Sequence, residues 1–319
     1  MSIARPPQAI VLLGAQRFDP TLGEAVRELG ITGKVATITA GWQERESEDQ
    51  DLDEHLGGRT VNLRLHRRAE EVFAEDTELN EAHREKQAVL RHKQDFYRIR
   101  LEHALEANHV IFQRKAPAAI LAEEAAASLA AIRALDEYHL GQCERVDREY
   151  DATWRPLERP AIARHRRELA AILREAAAVA IAGGHVATLL NRLRLFGIAE
   201  LIDGHAVFAW SAGAMAISER VVLFHDSPPQ GHGAAEVLDR GLGLCPGVVP
   251  LPQPETRLRL DDVERVTVMA RRFAPARCLA LPARARITWQ DQRFHHAHGV
   301  VELRHDGTHA PASTDSATA

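Results

Sequence analysis

The sequence predicts an α/β fold, a parallel sheet flanked by helices and interrupted by a long all-helical insertion. Three observations predict it. Short, continuous apolar runs recur near both ends of the chain, as strands buried on both faces require. Amphipathic helical segments alternate with those runs, the pattern of a parallel sheet covered by helices. Between them, residues 67–177 hold hardly any glycine, no strand-like run and many charges.

The first strand is Ala9-Ile10-Val11-Leu12-Leu13-Gly14, followed by a short helix from Leu22 to Leu29 that stops at Gly30. Lys34 to Ala40 makes a second strand ending at Gly41-Trp42, and Thr60 to Leu65 a third. In the insertion, Leu90, Tyr97, Leu101 and Leu105 mark one face of a long helix. Leu121, Ala125, Leu129, Ile132 and Leu135 mark a face of another. Pro117 and the Pro156 to Pro160 stretch break the helices, and a third helix runs from Ile162 into Ala176. The region reads as a long hairpin or small bundle whose charge runs are solvated faces.

The α/β pattern resumes with a strand from Ala178 ending in Gly183-Gly184, then a helix carrying Val186, Leu189, Leu190 and Leu193. The strand leading to Ser211 follows, and Asp226 to Gly233 is a loop by composition. Another extended segment starts at Pro246, residues 261–272 read as a helix, and residues 277–304 read as closing β-structure. The small, polar tail over 307–319 is expected to be disordered. The expected division is therefore an α/β domain from 1–66 and 178–306, a helical insertion at 67–177, and a tail.

Composition excludes several classes. The 319 residues include 45% hydrophobic and 27% charged residues, enough for a large core as one elaborate domain or two. A net charge of −5, with acids and bases interleaved, gives no electrostatic case for nucleic acid or an anionic membrane. No apolar stretch approaches the roughly 20 residues of a membrane helix. Three scattered cysteines, with no secretory pattern at the start, imply a reducing compartment and a cytoplasmic location. No phosphate loop or other cofactor motif occurs. His296 and His298 share one side of a strand, but no third ligand is near them, and no metal site is expected.

The chemistry points to Phe208-Ala209-Trp210-Ser211-Ala212-Gly213-Ala214. An apolar run breaking at a serine, then small helix formers, reads as a strand-to-helix elbow with the serine at its apex. The small residues matter because so sharp a turn drives the next helix against neighbouring strands. The plainer reading is a buried serine at an ordinary turn.

Taken in order, Gly183-Gly184, the Leu189-Leu190 helix, the Trp210-Ser211-Ala212-Gly213-Ala214 elbow and the segment from Arg240-Gly241-Leu242-Gly243 through Val249 resemble one family. They are similar to the serine peptidases of the dipeptidase E and cyanophycinase family, whose fold is that of the class I glutamine amidotransferases. The resemblance covers residues 8–66 and 178–304. It implies Ser211 as nucleophile, the amides of Gly184 and Ala212 as oxyanion hole, and Gly183, Gly213 and His232 at the substrate. A glutamine amidotransferase proper is disfavoured, because serine stands where those enzymes use cysteine.

The sequence departs from the family at the base. Gln253, in Pro250-Leu251-Pro252-Gln253-Pro254, stands closest to the family's histidine, and glutamine cannot take the serine proton. Asp226 fits the aspartate of the dipeptidase branch. His185, His225 and His232 are the candidate replacements, with His185 or His232 expected to face Ser211 and His185 placed closest by its neighbours. The acids Glu44, Glu46, Glu48 and Asp49 read as a solvated loop at the same rim. The expected activity is hydrolysis of a peptide-like small substrate at a peptide or related amide bond, without cofactor or metal. The alternative is a catalytically silent relative that binds partners through its helical insertion. The apolar stripes of that insertion exceed what one hairpin buries, which predicts a homodimer.

Overall fold

The computed structural model describes residues 9–225, 233–290 and 293–313. Strand β1 (Ala9–Leu13) leads to helix α1 (Leu22–Glu28), β2 (Lys34–Ile38), α2 (Gln50–His55) and β3 (Thr60–Asn62). Four helices follow: α3 (Leu65–Glu75), α4 (Thr77–Phe112), α5 (Ala118–Trp154) and α6 (Pro160–Glu175). The chain then returns as β4 (Ala176–Ile181), α7 (Val186–Leu195), α8 (Ile198–Leu201), β5 (Ala206–Trp210) and α9 (Ala212–Ile217). After β6 (Arg220–Leu223) and β7 (Glu236–Arg240) come β8 (Val248–Pro252), α10 (Pro254–Arg257) and α11 (Val263–Phe273). Strands β9 (Arg277–Leu281), β10 (Arg286–Gln290), β11 (Arg293–His298), β12 (Val301–Leu303) and β13 (His309–Pro311) close the fold.

The architecture is α/β, with a mostly parallel central sheet flanked by helices and a long helical segment. Seven strands lie in the order β11-β10-β1-β5-β4-β2-β3. The five from β1 to β3 are parallel, and β1 and β5 are buried along their whole length, which is why they read as unbroken apolar runs. β10 and β11 extend the sheet antiparallel. The closing β-structure thus divides. Part continues the central sheet, while β8, β9, β12 and β13 form a separate sheet in which β8 and β9 are parallel.

The expected disordered tail is corrected over its first residues. Asp306-Gly307 makes a tight turn: Gly307 takes φ +84°, and the Asp306 carboxylate accepts from the Thr308 amide at 2.9 Å. His309–Pro311 then pairs antiparallel with β12. The remainder, 314–319, lies outside the described residues.

Within the helical segment the four helices have different roles. Leu65, Ala69 and Val72 of α3 and Ile162, Leu169 and Leu173 of α6 share one apolar core with Ile38, Val179 and Ile181 of the sheet. These two helices cover the sheet. The 36-residue α4 and 37-residue α5 pair as an antiparallel hairpin instead. Tyr97, Leu101 and Ile132 of this hairpin pack with Val237 of β7 and with Val266, Met269 and Phe273 of α11.

A buried polar knot fixes the hairpin there. Asp136 of α5 takes two 2.7 Å hydrogen bonds from the Arg272 guanidinium of α11, and the Tyr97 hydroxyl donates to the same carboxylate at 2.7 Å. Arg272 also donates to the Ala235 carbonyl, and the Val237 amide donates to the Tyr97 hydroxyl. The Tyr97 ring stacks on His139 at 4.2 Å. Asp136 and Arg272, of residue types usually found at the surface, are almost fully buried.

His83 of α4 is buried between the rings of Phe73 and Tyr150. Burial, assisted by nearby Lys86 and Arg192 and opposed by Asp147, pushes its imidazole from the ordinary 6.5 down to about 3. The unfolded chain takes that proton near pH 6.5, whereas the folded chain resists it until about pH 3. Stability from this group is therefore complete above pH 6.5 and lost as pH falls toward 3, on the order of 5 kcal/mol over the full span. The urea midpoint is expected to fall between pH 7 and 4, and His83→Leu to flatten that dependence. An equally steep decline in the variant would remove His83 from the account.

Candidate functional site

Three neighbouring strands end at one rim. β5 ends in Trp210-Ser211, β4 runs into Gly183-Gly184-His185, and β2 runs into Gly41-Trp42-Gln43. The carboxyl ends of parallel strands are where open α/β sheets receive ligands.

Ser211 adopts φ +50° and ψ −124°, outside the regions that side-chain-bearing residues prefer, and α9 starts at the next residue. Such a residue costs about 1–3 kcal/mol and persists only where its surroundings impose it. The surroundings here are identifiable. A methyl group built on Gly183 would stand 2.7 Å from Ser211 Cβ and 3.5 Å from its Oγ, so only glycine lets β4 press against the elbow. A methyl on Gly213 would strike the carbonyls of Ile181 and Ala182. The small residues are required by this close approach. Gly213 is buried, and this packing accounts for its being glycine.

Gly184 is exposed at φ +109°, and the amide of His185 donates to the Gly41 carbonyl at 2.7 Å. This bond ties the ends of β2 and β4 together. Neither the Gly184 amide nor the Ala212 amide is committed to another described residue. Ser211 is half-buried, and its Oγ makes no hydrogen bond to a described residue.

The structure packs Gly183 against Ser211 and Ala212, and Gly184 and His185 follow Gly183 against Gly41. It does not give His185 the role of base. The His185 ring folds back over the start of α7, where Nδ1 accepts from the Thr188 amide at 3.2 Å. A ring nitrogen that accepts from an N–H carries no proton, so the neutral ring holds its proton on Nε2. A triad needs the opposite arrangement, with the proton on Nδ1 and a free Nε2 lone pair. His225 is half-buried two residues beyond β6. Asp226 and His232 lie outside the described residues.

Gln253 takes φ +57° at the start of α10 and is half-buried. The bridge between Ser218 and Cys245 sets the lower end of α9 beside the approach to β8. β8 packs against α9.

Glu46 corrects the reading of a solvated acidic loop. It is buried, its carboxylate accepts from the amides of His66 and Arg67 at 2.9 and 3.0 Å, and it thereby caps α3. Burial raises its carboxyl above the ordinary value, and the two backbone donors oppose that rise. Two further rim residues had no part in the sequence reading. Gln43 shares the Ser211 backbone conformation, at φ +58° and ψ −124°, and its amide donates to Thr188 Oγ1 at 3.1 Å. Thr188 stands three residues after His185, the spacing of a capping side chain and the amide it receives, and this much was readable. Nothing in the sequence marks Gln43 as strained.

The described residues hold no cluster of three or more metal-ligating side chains, and His295, His296 and His298 are exposed on β11. No helix is long and apolar enough to cross a membrane. A separate cavity of about 610 Å³ lies between α4, α11 and residues 233–236 and 258–262. Among the described residues, Ser211, Ala212, Gly213, Gly183, Gly184 and His185 are absent from its lining.

No protein-family model matches the chain, and no curated protein matches it. Among solved structures, it is similar to one described as the crystal structure of a peptidase from an acI-B1 Actinobacterium. The identity is 11% and the TM-score 0.46, over 97% of this chain and 98% of that chain.

Proposed function

We propose that the protein is a serine hydrolase that cleaves a peptide or related amide bond, built on a class I glutamine amidotransferase-like sheet as in the dipeptidase E and cyanophycinase family. The observation that carries this reading is the strained backbone of Ser211, held against Gly183 at an open rim beside the uncommitted amides of Gly184 and Ala212. Ser211 Oγ attacks the carbonyl carbon, and the two amides receive the charge that develops on its oxygen. With His185 capped, the proton is assigned to His232, the other histidine that the sequence offers, with Asp226 as the acid that the family resemblance implies. The imidazole returns that proton to the leaving amine, and water then hydrolyses the acyl-serine. The test is labelling of the folded protein by a fluorophosphonate and mapping of the modified residue. Modification at Ser211 supports the reading, and its absence from active-site peptides removes it.

A second reading, a silent relative that works by binding, is favoured by the outer face of the hairpin. Phe96, Ile99, Phe112, Ile120 and Tyr138 are all more than half or about half exposed, at 66, 54, 53, 50 and 53%. The Arg100 guanidinium lies 5.1 Å from the Tyr138 ring centre, which puts α4 and α5 side chains on one shared face. A second copy of the chain is the proposed occupant. Light scattering is expected to give a dimer mass, reduced to the monomer in Phe96→Ser/Tyr138→Ser. A wild-type monomer at all concentrations would exclude this assembly.

A further inference from the structure

We infer that His185 serves the crevice as a fixed N–H donor to an oxygen of the substrate, with Thr188 and Gln43 as the residues that position it. The inference deepens the serine-hydrolase reading and rests on it. Donor direction can be followed through the whole chain of contacts. The Gln43 side-chain amide donates to Thr188 Oγ1 at 3.1 Å, which leaves the Thr188 hydroxyl hydrogen to point elsewhere. That hydroxyl lies 2.9 Å from His185 Nδ1, and the Thr188 backbone amide donates to the same nitrogen. Two donors thus converge on Nδ1, and the proton of the neutral ring resides on Nε2.

Nε2 lies on the side of the ring away from the cap. It donates to no described residue, and His185 is exposed immediately after Gly183-Gly184, of which Gly183 packs against Ser211 and Gly184 against Gly41. The backbone is held as firmly as the ring, because the His185 amide is bonded to Gly41 and the strained Gln43 lies two residues beyond that glycine. A neutral imidazole N–H aimed at a substrate oxygen polarises a carbonyl, or pairs with a carboxylate, without giving up its proton. This is the work of a donor in the crevice and differs in kind from that of a triad base.

Two substitutions separate the roles, because asparagine and aspartate both cap helices well. His185→Asn keeps an acceptor for the Thr188 amide and retains an N–H donor, whereas His185→Asp keeps the cap but offers the crevice only oxygens. The rate of fluorophosphonate labelling at Ser211 is expected to stay within a few-fold of wild type in His185→Asn. It is expected to fall about 10²-fold in His185→Asp, the effect of losing one oxyanion donor. The pH profile of labelling is expected to keep its shape in His185→Asn. If both variants fall together and the profile loses its base limb, His185 is a base and the donor role is overturned.

Long-range ¹⁵N–¹H correlation spectra of the wild-type imidazole read the tautomer independently. A protonated Nε2 is expected, and a protonated Nδ1 overturns the inference. Wild-type protein that is never labelled at Ser211 removes the serine-hydrolase reading and the donor role with it. A labelled wild type with the wrong tautomer removes the donor role alone.

Discussion

Ser211→Ala is expected to abolish fluorophosphonate labelling and to lower amide hydrolysis by at least about 10³-fold. Its urea midpoint should remain close to that of wild type. The hydroxyl makes no hydrogen bond to a described residue, so removing it leaves no buried partner stranded. The elbow makes a second, less ordinary expectation. Because the φ of +50° is unfavourable to any side chain and natural to glycine, Ser211→Gly should stabilise the fold by about 1 kcal/mol while being equally inactive. A variant that loses activity and gains stability identifies strain maintained for chemistry. Labelling that survives in Ser211→Ala would place the nucleophile elsewhere, and a lower midpoint in Ser211→Gly would show that the elbow is not strained.

The largest effect on stability is expected at Asp136. Its carboxylate lies opposite Arg272 with both side chains nearly inaccessible, at 2 and 1% exposure. Asp136→Ala leaves a guanidinium buried without its counter-charge and deprives the Tyr97 hydroxyl of its acceptor. Breaking such a pair from one side costs about 3–5 kcal/mol, a large share of the roughly 5–15 kcal/mol that holds a typical protein folded. Replacing the whole knot, as Asp136→Leu with Arg272→Met and Tyr97→Phe, should recover most of that loss, because no ion then remains to be solvated. Urea melts of the single and triple variants, with slopes compared, measure both. A loss under about 1 kcal/mol in Asp136→Ala would mean that water reaches Arg272 and that the knot does not anchor the hairpin.

Much of this was legible in the sequence wherever the cause is local. β1, β2, β4 and β5 are buried, and burial of a strand on both faces writes itself as an apolar run. The Ser211 elbow and its glycines show because a tight turn and a close approach each constrain residue size at a fixed position. What stayed hidden depends on partners distant in the chain. Glu46 looks like one acid among several until the amides of His66 and Arg67 are placed above it. Asp136 and Arg272 look solvated because their residue types usually are, and their pairing joins elements 136 residues apart. The direction of β10 and β11 is set by where the chain crosses between sheets, which alternation alone does not record. The strand at His309–Pro311 is a different kind of miss, since Asp306-Gly307 was a readable hairpin turn in a tail dismissed by composition.

Helix α7 has a double attachment. Its first residue follows His185, and near its last turn Arg194 donates to Asp147 of the hairpin at 3.0 Å and to Asp239 of β7 at 2.6 Å. Gln87 of α4 and Asn191 of α7 exchange amide contacts at 3.2 Å between those points. Ten helical residues span about 15 Å, so α7 is a short stiff strut with the imidazole at one tip and the root of the hairpin clamped to the other. Anything that leans on the far end of the hairpin would bear on that strut, and the imidazole at its tip would turn with it.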